Sequence, residues 1–365
     1  MRVLFAGLQY DYGKPENGLS VEYTNFFDAL KNMVGVEAEF FPIDIHTQEL
    51  GRDGANDLLL KQVKEKKPDL LFCYLLSEEL KREVISEITN KTSTKTFNWF
   101  ADDHWRVPIF SKYWAPLFTL VSTTDSKSVE WYKKYGITNV VKTQWGANQN
   151  LYKPVKDFPP EADPSLAEKI ENSATFVGKK FGNRGAYIQA LENANLRVLA
   201  FGSGWQGGRL SQEEMLAVFS QSGINLNFSE THIAGTKAMF KSLAKLFVTK
   251  ELGKYKFVGQ NFFDNLRALR GMRKKCIKGR VFEVPACGGF LMTGKSDDDI
   301  NQYYVPGKEI VVFENKDDMV EKCRYYLDHP LERDKIAKAG YERTLKDHTY
   351  EQRFKEIFKI LGYNL

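Results

Sequence analysis

Residues 278–298 read KGRVFEVPACGGFLMTGKSDD, and this stretch decides the fold of the second half of the chain. A basic start runs into Val281, Phe282 and Val284, stops at Gly288–Gly289, and resumes with Phe290, Leu291 and Met292. The apolar positions 281, 282, 284 and 286 suit a mostly buried helix, which places Arg280 and Glu283, three residues apart, on one face. Two readings of the glycine pair stand at this point. One is a helix with a glycine cap leading into a buried strand and carrying a surface ion pair. The other is a backbone that must come close to a ligand.

Helical and strand patterns alternate on both sides of that stretch. Before residue 150, RVLFAGL (2–8), VEAEFFPI (36–43), DLLFCYL (69–75), KTFNWFAD and LFTLVSTT (117–124) read as strands, with VVKTQWGAN closing the series. SVEYTNFFDALKNM (20–33), DLLLKQVKEKKP (57–68), SEELKREVISEIT and SKSVEWYKKYG (126–136) read as helices between them. GANQNLYKPVKDFPPEADP (146–164), rich in Pro, Asn and acids, reads as a linker. After it come ATFVGKKFGNR, GAYIQALENAN, LRVLAFGSGW, SQEEMLAVFSQS, GINLNFS, EIVVFEN and a run of C-terminal helices. Such alternation predicts parallel sheets covered by helices on both faces. The expected architecture is therefore α/β, with two Rossmann-like α/β/α domains whose ligands bind in a cleft beyond the strand C-termini.

At 365 residues the chain is long enough for two cores. Cys73, Cys276, Cys287 and Cys323 show no CxxC spacing. Neither a disulfide framework nor a zinc site is expected, no metal ligands are assigned, and a reducing compartment fits. The opening MRVLFAGLQYDYG turns polar too soon for a signal peptide, and no apolar run approaches the 18 residues of a membrane span. A cytoplasmic protein is the expectation. The net charge of +5 is local: residues 237–280 hold 13 Lys/Arg against Glu251 and Asp264, so the remainder is net acidic.

Chemistry concentrates in three loops of the second half: FVGKKFGNRG (176–185), FGSGW (201–205) and ACGGF (286–290). A strand, a glycine turn and a helix N-terminus together present free N–H groups to an anion. Lys179, Lys180 and Arg184 add cations suited to a diphosphate. Neither GxGxxG nor GxxxxGK[ST] occurs, which argues against dinucleotide and P-loop sites.

The order FVGKKFGNR, FGSGW, INLNFS and KGRVFEVPACGGFLMT resembles the donor-binding half of GT-B glycosyltransferases, above all the CgeB-type (spore maturation protein) glycosyltransferases. The tail YYVPGKEIVVFENKDDMVEKCRYYLDHPLERDKIAKAGYERTLKDHTYEQRF and the crossover WGANQNLYKP agree. The resemblance is specific over about residues 144–355 and architectural before that. It implies an N-terminal acceptor domain, 1–147, and a C-terminal donor domain, 148–349, with a basic insertion at 234–279. It also implies that helix 350–365 packs back on the first domain. The implied reaction moves a sugar from a nucleotide-diphosphate donor, UDP- or GDP-linked, to a hydroxyl acceptor, with no bound cofactor or metal and with retention. The resemblance further implies that Lys180 and Arg184, with Lys179 as alternate, hold the diphosphate beside Gly178, Gly202 and Gly204. Glu283 then binds the ribose hydroxyls, Arg280 adds a cation, and Gly288 and Gly289 open space for the ligand. One departure stands out: where many retaining members carry a first acid, this chain has Lys275–Cys276, and Glu230 in NFSETH is the substitute.

On the acceptor side, WFADDHWR (99–106) gathers Asp102, Asp103 and His104 at a strand end, where a carboxylate or imidazole suits a general base. The loop QYDYGKPENG (9–18) resembles a glycine-bearing acceptor loop, with Asp11 and Tyr12 as sugar contacts. The acceptor class is a glycan, a lipid-linked group or a protein. The basic stretch 237–280 has three readings: a helical insertion with a solvated face, a peripheral membrane contact, or a polyanion patch, with nucleic acid the least favoured partner. The rival functions are a nucleotide-sugar epimerase, a sugar phosphorylase, and a non-catalytic module binding nucleotide or polyanion.

Overall fold

A computed structural model describes residues 1–159, 164–229, 248–251, 254–257 and 262–365. The chain divides into two compact units, one of Met1–Gln144, Phe240–Met272 and Tyr350–Leu365, the other of Trp145–Met239 and Arg273–Thr349. Each holds a parallel sheet flanked by helices, the two-sheet arrangement that the alternating pattern predicts.

The first unit's sheet has six strands, β1 (Arg2–Gly7), β2 (Glu37–Pro42), β3 (Leu70–Cys73), β4 (Lys95–Phe100), β5 (Leu120–Thr123) and β6 (Val140–Lys142), in the order β2-β1-β3-β4-β5-β6. The central strands are buried on both faces, so their sequences are near-continuous apolar runs. Their side chains still divide with period two. Leu4, Ala6, Leu71 and Cys73 join one core cluster. Phe5, Phe72 and Phe97 meet an aromatic layer that includes Phe26. The helix Tyr350–Ile360 completes that layer, with Tyr350 4.6 Å from Phe26 and Phe354 5.4 Å from Phe72, ring centre to ring centre.

Two expectations change here. The helix expected from residue 57 already begins at Ile43 and runs to Lys66, broken at Gly51, whose φ of 71° departs from the helix. That glycine hid the first half of the element. In the basic stretch, Val248–Glu251 (β10) and Lys254–Phe257 (β11) form an antiparallel hairpin, and Phe262–Gly271 forms a helix. A continuous membrane-surface helix through 248–257 is thereby ruled out. VTKE brings β-branched residues, and KYKF the aromatic, period-two character of a strand. The helix Phe262–Gly271 is fixed within the first unit, where Asp264 accepts hydrogen bonds from Lys112 (2.5 Å) and Tyr135 (2.8 Å).

The second unit's sheet has five strands, β7 (Ala174–Val177), β8 (Val198–Phe201), β9 (Ile224–Asn227), β12 (Leu291–Gly294) and β13 (Val311–Phe313), in the order β13-β12-β9-β7-β8. The segment read as a linker is packed at its start. Ala147 N–H donates to the His348 carbonyl at 2.9 Å, and Asn148 and Tyr152 are buried. The Asn148 side chain serves the backbone of this turn, its Oδ1 accepting from the Asn150 N–H at 3.1 Å. Among the described residues, no helix is long and apolar enough to cross a membrane.

Candidate active site

The loops after β7 and β8 are laced together by their backbones. Gly178 N–H donates to the Phe201 carbonyl at 2.8 Å and Lys180 N–H to the Ser203 carbonyl at 2.9 Å. Trp205 Nε1 closes the arrangement by donating to the Gly178 carbonyl at 2.8 Å. Gly202 has a φ of 119°, and a Cβ there would stand 2.6 Å from the Gly178 oxygen, so only glycine fits. The glycines here shape the loops, and what the loops present is cationic.

Lys179 and Lys180 are exposed, with the Lys180 ammonium 4.9 Å from the centre of the Trp205 ring. Arg184 opens the helix Arg184–Asn193 and donates from Nη1 to the Lys179 carbonyl at 2.9 Å. Its guanidinium lies 5.3 Å from the centre of the Phe176 ring, and its Nε is buried with no hydrogen-bond partner among the described residues. Burial, and secondarily the charge of Arg280, hold Arg184 below the usual guanidinium range. Two guanidinium groups thus share one electrostatic neighbourhood.

The helix Arg280–Ala286 supplies the second of them. Arg280 pairs with Glu283, lies 5.0 Å from the centre of the Phe219 ring, and is hydrogen-bonded to Tyr152. Burial works against its charge, but the Glu283 carboxylate and these hydrogen bonds outweigh it and leave Arg280 above its ordinary range. Glu283 is only 5% exposed, so the ion pair expected at the surface is sheltered on its acidic side. One carboxylate against two guanidinium groups and two lysines leaves the neighbourhood positive, a setting for a multiply charged anion.

The glycine pair divides its labour. Gly288 has a φ of 74° just beyond the helix end and acts as its left-handed cap. A Cβ on Gly289 would stand 2.0 Å from the Phe219 carbonyl oxygen, so Gly289 is required by packing against the helix Gln212–Gln221. Locally the capped-helix reading of the segment is right, and the closest approach at Gly289 is to protein.

In the first unit, Asp102, Asp103 and His104 part company. Asp103 is fully buried and accepts from Ser111 Oγ at 2.5 Å and Tyr132 OH at 2.7 Å. Burial raises its carboxyl to about 6 against those hydrogen bonds. His104 is buried as well, and only Asp102 is exposed. Asp103 is therefore a core anchor for the helical segment that follows β4. Glu230 lies outside the described residues.

Two residues escaped the sequence reading. Tyr152 holds Arg280, and its position in NQNLYKP resembled linker. Glu22 is buried, and burial, against hydrogen bonds from its own backbone and Ser20, raises its carboxyl to about 7. Its signal was present: Glu22 stands four residues before Phe26, on the stripe that continues through Leu30 and Met33.

Comparison with known proteins bears on the fold and on the second half of the chain. Residues 254–359 match the model of the family described as glycosyl transferase-like. The chain is 19% identical over 307 residues to the spore protein CgeB of Bacillus subtilis (strain 168), covering 84% of this chain and 87% of that one. A glycosyltransferase from Rickettsia africae ESF-5 superposes with a TM-score of 0.62 at 10% identity, covering 100% of this chain and 99% of that one. HepE of Anabaena, solved in complex with UDP, superposes with a TM-score of 0.59 at 11% identity, covering 99% and 100%. The fold is GT-B, and family match and fold together make this chain an enzyme of the glycosyltransferase class. Its resemblance to CgeB extends over most of its length.

Proposed function

We propose that the second unit seats a nucleotide-diphosphate sugar and that the first unit offers the acceptor hydroxyl. The observation that carries the donor assignment is Arg184: a half-buried guanidinium whose Nε has no partner among the described residues, beside Arg280 and two exposed lysines. A diphosphate supplies both the charge and the acceptor oxygens such a group lacks. HepE was solved with UDP, so UDP-sugars are the first donors to try, with GDP-sugars beside them.

As the glycosidic bond breaks, negative charge grows on the leaving diphosphate. Lys180, Arg184 and the N–H groups opening the helix Arg184–Asn193 stabilise that charge more in the transition state than in the bound donor. This assigns to protein cations the task a metal performs elsewhere, and the transfer is metal-independent. Glu283, held by Arg280, is the ribose contact. Asp102, exposed just beyond β4, contacts acceptor hydroxyls of a glycan, lipid-linked group or protein. Retention, which the family resemblance implies, draws no support from the described residues, since Lys275–Cys276 replace the first acid.

The test is calorimetry with UDP, GDP and inorganic pyrophosphate, followed by nucleotide release from their sugars. Arg184→Gln should weaken diphosphate binding at least tenfold and lower turnover by about 10²–10³. Binding without release in the presence of candidate acceptors would favour the silent module. Interconversion of the sugar without release would favour the epimerase. Failure of all three anions to bind would end the donor assignment.

A further inference from the structure

A cavity opens at the C-terminal edge of the second unit's sheet, where β9, β12 and β13 end, and the contacts assigned above leave it unused. It measures about 190 Å³, the solvent at its mouth included. The buried rings of Tyr187, Phe228 and Phe313 line it, together with Ser229 and the charged side chains of Lys275, Lys295 and Glu314. Tyr187 stacks 5.0 Å from Phe228 and 5.9 Å from Phe313, ring centre to ring centre. The space suits a group of a few atoms, and a whole nucleoside does not fit it.

The lysines of this cavity stand on backbone that is already ordered. Ser229 Oγ donates to the Lys295 carbonyl at 2.6 Å, and the Ser229 carbonyl accepts from Cys276 N–H at 3.1 Å. Lys275 N–H donates to Asp297 Oδ2 at 2.9 Å, and Asp297 N–H returns to the Lys275 carbonyl at 2.8 Å. Lys295 N–H donates to the Phe313 carbonyl at 2.9 Å. A site framed in this way loses little further freedom when it binds. The acids around it are engaged: Asp297 by the Lys275 N–H, Asp298 by Lys274 at 3.9 Å, and Glu314 by Lys295 at 3.0 Å. The lining itself carries two ammonium groups against the one carboxylate of Glu314.

The cavity adjoins the proposed diphosphate seat. Tyr187 stands three residues after Arg184, on the same face of the helix Arg184–Asn193. Phe176, whose ring lies under the Arg184 guanidinium, is 4.8 Å from Phe228, ring centre to ring centre. The ribose contact proposed above is on the opposite face of the sheet. Tyr187, Phe228 and Phe313 belong to one core cluster, whereas Val281, Phe282 and Val284, from the helix that carries Glu283, belong to another. With the ribose at Glu283, the cavity is left to the other end of the donor, the sugar.

We infer that this cavity receives a carboxylate carried by the transferred sugar, held between the ammonium groups of Lys275 and Lys295, so that the donor is a nucleoside-diphosphate uronic acid. This rests on the donor reading above and deepens it. A neutral hexose would leave the lining with its excess of positive charge. A carboxylate balances that charge and accepts charge-assisted hydrogen bonds from both lysines. A lysine at position 275, where the family resemblance leads one to expect an acid, has the same sign preference.

The experiment measures binding and nucleotide release by the full chain with matched donors: UDP-glucuronate against UDP-glucose, and GDP-mannuronate against GDP-mannose. In one pair or both, the uronate should bind about 10–100-fold more tightly, the worth of a charge-assisted hydrogen bond. Lys275→Met and Lys295→Met should each lower that preference about tenfold, with affinity for UDP and GDP unchanged. Glu314→Gln removes the opposing carboxylate and should raise the preference, an outcome that a purely structural ion pair would not give. Equal binding of uronate and neutral sugar in both pairs, or a full preference in the two lysine variants, would overturn the proposal and leave the donor reading standing. If neither UDP nor GDP binds and none of the donors is consumed, both fall.

Discussion

The two units build the same kind of edge and furnish it with opposite charge. In the second, the loop after β7 and the start of its helix collect Lys179, Lys180 and Arg184, with Arg280 nearby, against the acid Glu283. In the first, the segments after β1, β3 and β4 collect Asp11, Glu22, Glu79 and Asp102 around Tyr12 and Tyr74. Lys179 and Lys180 are exposed on a glycine turn, while Arg184 and Arg280 are half-buried. The acids are divided between an exposed Asp102 and a Glu22 sunk into the protein. A parallel sheet is thus indifferent to the chemistry at its strand ends, and the loops decide whether an edge attracts an anion or takes up a proton.

The contrast can be broken most severely at Gly289. If the second unit's glycines serve packing as well as ligand, Gly289→Ala should cost more than about 3 kcal/mol, because a Cβ 2.0 Å from the Phe219 oxygen forces backbone movement. Urea denaturation measures this, and a near-neutral result would return Gly289 to the role of a ligand contact.

Next comes the buried acid of the first unit. A carboxyl raised by burial stabilises the fold fully below its unfolded value, and that contribution is lost as pH rises through about 7. Glu22→Gln, neutral at every pH, should therefore match wild type near pH 4 and exceed it by about 2–3 kcal/mol at pH 8. Thermal or urea unfolding at the two pH values checks the sign. Equal stability of the two proteins at pH 8 would mean that Glu22 is not a sheltered acid.

The smallest effect sharpens the second unit. If Glu283 touches ribose, Glu283→Ala should weaken UDP by about tenfold, the ordinary value of one or two hydrogen bonds. Inorganic pyrophosphate, which has no ribose, should bind as before. Equal losses for both would mean that Glu283 acts only by holding Arg280.

Much of the architecture was legible in residue order. Parallel strands buried on both faces must be apolar throughout, so RVLFAG, LLFC and ATFV declare themselves without help from partners. The helix Arg280–Ala286 and its left-handed cap at Gly288 could be read because both are local, set by side-chain spacing and one backbone torsion. The grouping of Lys179, Lys180 and Arg184 is equally local, lying within one loop and the start of its helix. The stretch 248–257 was misread because interleaved lysines and apolar residues suit a helix as well as a hairpin, and only the pairing of β10 with β11 separates them.

Sequence alone determined which residue types stand near each strand end, because strand, turn and helix are written in patterns a few residues long. Tertiary structure alone decided how each is used. Burial sent Asp103 into the core beside Ser111 and Tyr132, and left Asp102 outside. Packing gave Gly289 to the Phe219 carbonyl and Tyr152 to Arg280. Desolvation turned Glu22 from a misplaced charge on an apolar stripe into an acid near neutrality. These outcomes depend on atoms far apart in the chain, and the energy of a charge depends on what surrounds it.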